Sequence, residues 1–296
     1  MNLKENKAVC VVMTAVLTVI SCGCNGQNSE NPGELPRLIQ KNITQVGYIS
    51  YPEIKECSGI IPCKTGTNLF WTHTDGHHPI LFAINRSGKC VARFVVSGAP
   101  VIDFEDIARD DKGHIYIGDI GNNDVRRSVL AVYVVNEPTP EKGSGAIPSL
   151  YSYRLTFPDK PFDCESLFIY KDYGYVISKV FNDAPAEIYR FPLSETNKTI
   201  KLQLVAKLPI TSPVTSADIT SDASLLALTA KNGVYCFEIN GDINSAANIK
   251  PHHVKFRNEH IEGCCFVPDG LLVTSEDRTV YLFTHKFFIQ KSSISH

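Results

Sequence analysis

The sequence predicts an all-β protein, a β-propeller built from five four-stranded blades. A short pattern (aliphatic, aromatic, any residue, apolar) recurs along the chain, and its aromatic residues are separated by 51, 56, 46 and 46 positions. Turn residues separate the apolar runs, and no helical stretch lies between them. A period of about 50 residues with four strands in each unit is typical of propellers. The five aromatic residues are Phe82, Tyr133, Tyr189, Tyr235 and Tyr281.

Each unit begins with a strand of small or acidic character, followed by two apolar strands. The first-strand motifs are Glu56-Cys-Ser-Gly-Ile, Asp103-Phe-Glu-Asp-Ile, Asp163-Cys-Glu-Ser-Leu, Thr215-Ser-Ala-Asp-Ile and His260-Ile-Glu-Gly-Cys. A fourth apolar segment, such as residues 91–96 or 202–208, completes the unit. Glycines mark the turns that hairpins require. They are Gly88, Gly113, Gly233 and Gly270.

The ring is predicted to close through the N-terminal segment, because the fifth unit ends after its third strand. Residues 43–50 are expected to pair there as the missing fourth strand, which removes an exposed sheet edge. The longer spacing around residues 136–162 leaves six blades as an alternative. That segment contains one proline-rich loop and one strand, Tyr151–Phe157, and therefore favours five.

Residues 1–21 resemble a bacterial lipoprotein signal peptide. Lys4 and Lys7 precede an apolar run of 13 residues, which is too short to span a bilayer. The run ends in Val19-Ile20-Ser21-Cys22, so Cys22 is the predicted lipidation site, and a plain secretory signal is the alternative. Two or three acyl chains give stable anchoring. No retention aspartate follows Cys22, which predicts the outer membrane, facing the periplasm.

The remaining chain divides into three parts. Residues 22–40 are polar and predicted to be a flexible tether, residues 41–288 a single propeller domain, and residues 289–296 a C-terminal tail.

Lys and Arg number 29 against 31 Asp and Glu, a balance that argues against nucleic acid as a partner. The expected partners are the membrane, through Cys22, and a protein or small molecule at the propeller rim.

The innermost strand of each blade lines the axis of a propeller, so the first-strand motif points to candidate site residues. The column predicted to face the axis is Ser58, Glu105, Glu165, Ala217 and Glu262. Side chains alternate between faces along a strand, so the neighbouring column is expected to pack between blades. It consists of Gly59, Asp106, Ser166, Asp218 and Gly263. The ends of the second strands add His73, Asp119 and Lys179, with Asp75 just beyond.

Converging glutamates repel one another unless a cation, a proton or Lys179 compensates their charge. Oxygen-rich convergence suits Ca²⁺ or Mg²⁺, and the candidate Ca²⁺ ligands are Glu105, Asp119, Glu165 and Glu262. The alternative is that these carboxylates bond backbone amides and waters of the channel. His73, His77 and His78 lack a matching cysteine pair for zinc and are interpreted as surface residues.

Seven cysteines lie in the predicted propeller domain. Cys57 and Cys164 occupy one position of the repeat, alongside Phe104 and Ile261, which indicates buried small apolar residues rather than a disulfide framework. Cys57 and Cys63 are the pair best placed to form a bridge if one exists.

Several motifs resemble a family of functionally uncharacterised bacterial secreted and lipoprotein β-propellers. Trp71-Thr-His-Thr-Asp-Gly, Asp103-Phe-Glu-Asp-Ile-Ala and Tyr116-Ile-Gly-Asp-Ile-Gly-Asn-Asn are similar to its W-T-H-N-D-S-G, D-x-E-D-I-A and G-D-I-G-D-N motifs. The likeness covers residues 56–190 and is looser afterwards. TolB-like and phytase-like esterase propellers resemble the chain more distantly. The resemblance implies a fold rather than an activity.

Two functional hypotheses follow. The first is a lipid-anchored module that binds a ligand or protein at its rim, since no nucleophile–base pair is recognisable. The second is a metal-assisted hydrolase of an ester, lactone or phosphoester, in which axial carboxylates hold Ca²⁺ and Lys179 stabilises anionic charge.

Overall fold

The computed structural model describes residues 35–287, except residues 67, 197 and 259. The predicted signal peptide, Cys22 and the predicted C-terminal tail lie outside this range. The described residues form β-strands and three short 3₁₀-helices (Pro140–Lys142, Ile243–Ala247 and His285–Phe287), without an α-helix. In this part of the chain, no helix has the length and apolarity needed to cross a membrane.

The strands form five blades, which confirms the predicted fold. The chain begins with β1 (Arg37–Gln40) and β2 (Ile43–Tyr48). Blade 1 contains β3 (Ile60–Pro62), β4 (Leu69–Thr72), β5 (Ile80–Asn85) and β6 (Cys90–Ser97). Blade 2 contains β7 (Phe104–Arg109), β8 (His114–Asp119), β9 (Val129–Asn136) and β10 (Gly145–Thr156).

The other three blades repeat this order of antiparallel strands. Blade 3 contains β11 (Asp163–Tyr170), β12 (Tyr173–Lys179) and β13 (Glu187–Pro192), then, after the short β14 (Thr199–Lys201), β15 (Gln203–Lys207). Blade 4 contains β16 (Val214–Ile219), β17 (Leu225–Ala230), β18 (Gly233–Glu238) and β19 (His252–Lys255). Blade 5 contains β20 (Ile261–Val267), β21 (Gly270–Ser275) and β22 (Thr279–Thr284), with β2 as its fourth strand.

The ring closes through β2, as the sequence predicts. Ile43 lies opposite Phe283 and Tyr48 opposite Thr279, so the first and last parts of the propeller share one sheet. Strand β1 then pairs with β2 and adds a fifth strand to that blade. The ordered sheet therefore begins at Arg37, four residues before the predicted start of the domain.

The long spacing between the second and third aromatic residues belongs to strand β10. From Ser149 to Thr156 this strand pairs with β9, and its first residues run parallel to the outer strand of blade 1, with Gly145 opposite Phe94. Strand β14 pairs with the other end of β10. The additional residues of β10 and β14 thus connect the outer edges of neighbouring blades, and they do not form a sixth blade.

The core consists of five apolar clusters, each of which fills the space between two neighbouring blades. Successive residues of one strand belong to different clusters. In β8, Ile115 and Ile117 pack toward blade 1, whereas Tyr116 packs toward blade 3. Both faces of a blade are therefore buried, which explains the near-continuous apolar runs of the middle strands.

The glycines predicted at the turns have positive φ angles, which glycine adopts without a steric penalty. At Gly233 and Gly270, a Cβ atom would in addition collide with the carbonyl oxygens of Val254 and Phe283 on the neighbouring strand. These turns therefore require glycine for two independent reasons.

The inner strands β3, β7, β11, β16 and β20 lie side by side around the axis. Four of them carry a β-bulge at the same level, where one extra residue interrupts the pairing with the second strand. The extra residues are Glu105, Glu165, Thr215 and Glu262. In blade 4 the equivalent of the glutamates is thus Thr215, and the predicted Ala217 was wrong.

The bulge also corrects the prediction that only one column of side chains faces the axis. Asp106 follows the bulged Glu105, and its Oδ2 accepts hydrogen bonds from Leu167 N of blade 3 (2.9 Å) and Ser216 Oγ of blade 4 (3.1 Å). The extra residue breaks strict alternation, so both Glu105 and Asp106 reach the centre of the ring. Asp106 therefore links three blades.

Candidate functional site

Carboxyl groups gather where the inner strands begin, and we call this region the acidic end. Its acidic members are close enough for each to take part in at least one charge interaction that raises a carboxyl pKa within the group. They are Glu56, Asp75, Asp103, Glu105, Asp163, Glu165, Glu262 and Glu276. Of these, Asp163, Glu105, Glu165 and Glu262 are buried, while Asp75 is exposed. The acidic end therefore combines buried carboxyl groups with a route to solvent.

Lys179 is the buried cation of the acidic end, and it forms an ion pair with Glu165. Burial alone would lower the pKa of Lys179, but the charges of Glu165 and Glu262 reverse that effect and raise it. The lysine is thus charged at neutral pH. Burial raises the pKa of Glu165 to about 7 even with Lys179 beside it, and its Oε2 atom has no hydrogen-bond partner in the described structure.

Glu105 and Glu262 have no comparable cationic partner among the described residues. Burial and the charge of Glu165 raise the pKa of Glu105 well above its usual range. The same two causes raise the pKa of Glu262 to about 9. Their raised pKa values mean that ionisation of these side chains costs free energy unless a positive charge is supplied.

Asp75, Asp103 and Glu105 form the tightest group of oxygens at the acidic end. One carboxylate oxygen of each lies within 4.8 Å of those of the other two. The approach depends on Gly121, because a Cβ atom there would collide with Glu105 Oε1 and Asp103 Oδ2. The predicted axial Glu105 and rim Asp75 are thus brought together, with Asp103 as a third member.

Asp119 lies outside this group and supports the loop that carries Asp103. Its Oδ1 accepts hydrogen bonds from the backbone N–H groups of Ile102 (3.1 Å) and Asp103 (2.9 Å), and it pairs with Arg127 at 3.0 Å. The converging carboxylates therefore differ from the predicted set Glu105, Asp119, Glu165 and Glu262. Asp119 positions Asp103, and its charge is already balanced by Arg127.

His73 is fully buried, so its interpretation as a surface residue was wrong. Its ring stacks on Phe104 with 3.6 Å between ring centroids, and its Nδ1 lies 3.2 Å from the carbonyl oxygen of Thr74. Burial lowers the pKa of His73 to about 3. The imidazole is therefore neutral and holds the start of blade 2 against blade 1.

The seven cysteines among the described residues are free thiols, and all but Cys90 are buried. Cys57 Sγ lies 2.9 Å from Thr72 Oγ1, and burial raises the pKa of Cys57 to about 11. Burial likewise raises the pKa values of Cys164 and Cys264. Raised pKa values disfavour the thiolate that a cysteine nucleophile requires.

The carboxyl-terminal ends of the inner strands surround a cavity of about 1230 Å³, which we call the opposite opening. Its lining combines charged and aromatic side chains, including Arg109, Asp110, Tyr116, Tyr151 and Lys171. Sequence analysis proposed no candidate site residue at this end, and it named Asp218 only as a residue that packs between blades. Charges of both signs line the opposite opening, in contrast to the acidic end.

No family model and no curated protein matches this chain. Among solved structures, virginiamycin B lyase from Staphylococcus aureus is similar, with a TM-score of 0.44 and 13% identity over 81% of this chain and 69% of that chain. A catalytically inactive variant of that enzyme with quinupristin has a TM-score of 0.43 and 13% identity, over 80% and 68% of the two chains. The computationally designed Ika8 protein has a TM-score of 0.36 and 10% identity, over 77% and 70%.

The propeller fold and its blade count rest on the strand pairing of this chain. The resemblance to bacterial secreted propellers remains a prediction, because no family model supports its motifs.

Sequence reasoning missed Asp103 and Asp163, although a signal for both was present. Each stands two positions before the predicted Glu105 or Glu165, at the first position of the same repeated motif. It also missed Gly121 and Arg127, whose roles depend on contacts between loops that only the folded chain makes.

Proposed function

We propose that this propeller is a binding module and that its acidic end receives a ligand with a positively charged group. The observation that carries this proposal is an imbalance between buried carboxyl groups and cations: Lys179 is paired with Glu165, while Glu105 and Glu262 have no comparable cationic partner among the described residues. A ligand cation would lower the cost of ionising both, which makes binding favourable.

Binding is preferred over hydrolysis through a side-chain nucleophile, because the buried histidine and the buried thiols among the described residues are not activated. Such a reaction would require a nucleophile beside a base with a suitable pKa. His73 is fully buried with its pKa lowered to about 3, and the thiols of Cys57 and Cys164 have raised pKa values. None of these groups is placed to start such a reaction.

Calorimetric titration of the full chain in mild detergent tests the proposal. Ca²⁺ and 1,5-diaminopentane serve as cationic probes, and succinate as an anionic control. We expect at least one cation to bind, succinate to give no signal, and Glu105→Gln to weaken cation binding at least tenfold. Asp111→Asn, an exposed change at the opposite opening, is the matched control and should bind like the wild type. Failure of both cations to bind, or equal binding by Glu105→Gln, would contradict the proposal.

We also propose that Cys22 carries a lipid and holds the propeller at the outer membrane, facing the periplasm. The support is the sequence Val19-Ile20-Ser21-Cys22 after a short apolar run. Cys22→Ala should move the protein from the membrane fraction to the soluble fraction. An unchanged distribution would contradict lipid anchoring.

A further inference from the structure

The tight oxygen group at the acidic end has the composition of a site for a hard divalent cation. Asp75, Asp103 and Glu105 each contribute one carboxylate oxygen, and these oxygens lie within 4.8 Å of one another. No nitrogen or sulfur atom belongs to the group. Such donors suit Ca²⁺ or Mg²⁺ rather than zinc or copper.

The donor set and its access to water favour Ca²⁺ over Mg²⁺. Ca²⁺ takes about 6–8 oxygen ligands at about 2.3–2.6 Å in flexible geometry, whereas Mg²⁺ demands near-ideal octahedral geometry at about 2.0–2.1 Å. Asp75 is exposed and Asp103 is half-buried, so water can complete the larger coordination shell of Ca²⁺.

A second observation separates this group from an ordinary acidic patch. Glu105 is 7% exposed, and its carboxylate accepts no hydrogen bond from the described residues. Nearby, Glu165 Oε2 and Asp163 Oδ2 are buried and also lack hydrogen-bond partners within the described structure. Buried carboxylate oxygens are normally hydrogen-bonded, so these two unpaired oxygens, together with the unpartnered Glu105 carboxylate, indicate a place that suits a positively charged ligand.

The backbone is shaped to allow the oxygens to converge. Gly121 approaches Glu105 and Asp103 so closely that any Cβ atom would displace their carboxylates. Asp119 fixes the neighbouring loop by accepting hydrogen bonds from the backbone of Ile102 and Asp103. The oxygens are thus positioned by a glycine and by a buried carboxylate of the supporting layer, as in a preorganised site.

We propose that Asp75, Asp103 and Glu105 bind Ca²⁺ at the acidic end of the propeller. This inference rests on the proposed function, since it names the cation that this end receives. The ion would enter from the solvent side at Asp75 and favour the ionised form of Glu105, while Lys179 remains paired with Glu165.

Calcium binding by the full chain in mild detergent tests the inference, with Asp103→Asn as the diagnostic variant. Asp103 is chosen because its side chain makes no hydrogen bond to the described residues, so the neutral amide should leave the fold intact. We expect wild-type protein to bind one Ca²⁺ and to unfold at a temperature several degrees higher in Ca²⁺ than in EDTA. Asp103→Asn should bind at least tenfold more weakly and show a smaller shift, with an unchanged unfolding temperature in EDTA.

Three controls separate the outcomes. Asp111→Asn should bind Ca²⁺ like the wild type, and Mg²⁺ should bind more weakly than Ca²⁺. If 1,5-diaminopentane binds but Ca²⁺ does not, the inference is overturned while the proposed function stands. If Ca²⁺ binds equally to Asp103→Asn and the wild type, the assigned ligands are wrong. If neither cation binds, both proposals fail.

Discussion

Glu105 lies near the start of the inner strand β7, and Asp110 follows its end. The two carboxyl groups are five residues apart and differ in the hydrogen bonds that they accept. Asp110 accepts hydrogen bonds from the backbone N–H groups of Lys112 (3.0 Å) and His114 (2.8 Å), from His114 Nδ1 (2.8 Å) and from Tyr116 Oη (3.2 Å). Glu105 accepts none from the described residues.

The pKa values follow this difference. Burial alone would raise the pKa of Asp110, but the hydrogen bonds from His114 and Tyr116 outweigh it and lower the pKa. Burial and neighbouring carboxylates raise the pKa of Glu105. The comparison teaches that donors, rather than acidity or position on a strand, decide whether a carboxylate is structural or available to a ligand. The chain supplies those donors to Asp110, whereas it supplies none to Glu105 among the described residues.

The largest expected effect comes from Asp106, which stands between the two ends. Asp106→Ala removes the acceptor for Ile107 N, Leu167 N and Ser216 Oγ, so we expect a loss of about 3 kcal/mol or more in the free energy of unfolding. Asp106→Asn keeps an acceptor oxygen and should lose less. Urea denaturation measures both variants. A loss under about 0.5 kcal/mol for Asp106→Ala would show that the hydrogen bonds between Asp106 and blades 3 and 4 contribute little to the stability of the ring.

An intermediate effect is expected when the cation of the acidic end is removed. Lys179→Met leaves Glu165 without its partner, which should cost about 2 kcal/mol at pH 8. The pKa of Glu165, about 7 beside Lys179, rises further without it, so the cost should shrink at pH 5.5, where Glu165 is protonated. Denaturant titration at both pH values measures the difference.

The matched lysine lies at the opposite opening. Lys171 is exposed and stands over the ring of Tyr170, so Lys171→Met should change stability by less than about 0.5 kcal/mol at either pH. Equal effects of the two lysine substitutions would refute the claimed difference between the ends.

The smallest expected effects are changes in the free energy of unfolding when one carboxyl group at each end is replaced by an amide, and they should have opposite signs. The folded pKa of Glu262 is raised to about 9, so the wild type loses stability as pH rises from about 4.5 through 9. Glu262→Gln has no proton to lose. It should therefore be more stable than the wild type by about 1–2 kcal/mol at pH 8 in EDTA, and equal to it at pH 4.

Asp110→Asn should do the reverse, because the pKa of Asp110 is lowered by its donors. Its ionised form contributes stability above the unfolded pKa, and that contribution disappears as pH falls through the folded pKa. We expect a loss of about 1 kcal/mol at pH 7 and little change under acidic conditions. Thermal unfolding across the pH range checks both signs. If the stability of Glu262→Gln and of Asp110→Asn, relative to the wild type, changed with pH in the same direction, the claimed difference between the two ends would be wrong.

The sequence by itself determined the architecture. The repeated aromatic residues, Phe82 through Tyr281, lie on the third strand of each blade, and residues 43–50 contain the strand that closes the ring. These features were predictable because strand order, turn glycines and apolar runs are local properties that repeat with the blade. The same repetition identified Glu105, Glu165 and Glu262 as axial residues.

The tertiary structure alone decided which carboxylates converge and which are already satisfied. A bulge at the same level of four inner strands brings both Glu105 and Asp106 to the axis, and strict alternation could not predict this. Asp119 was predicted as a ligand, but its donors come from a loop that folds back onto it and from Arg127. Availability for a ligand depends on hydrogen bonds between distant segments, and these exist only after the blades have packed around the axis.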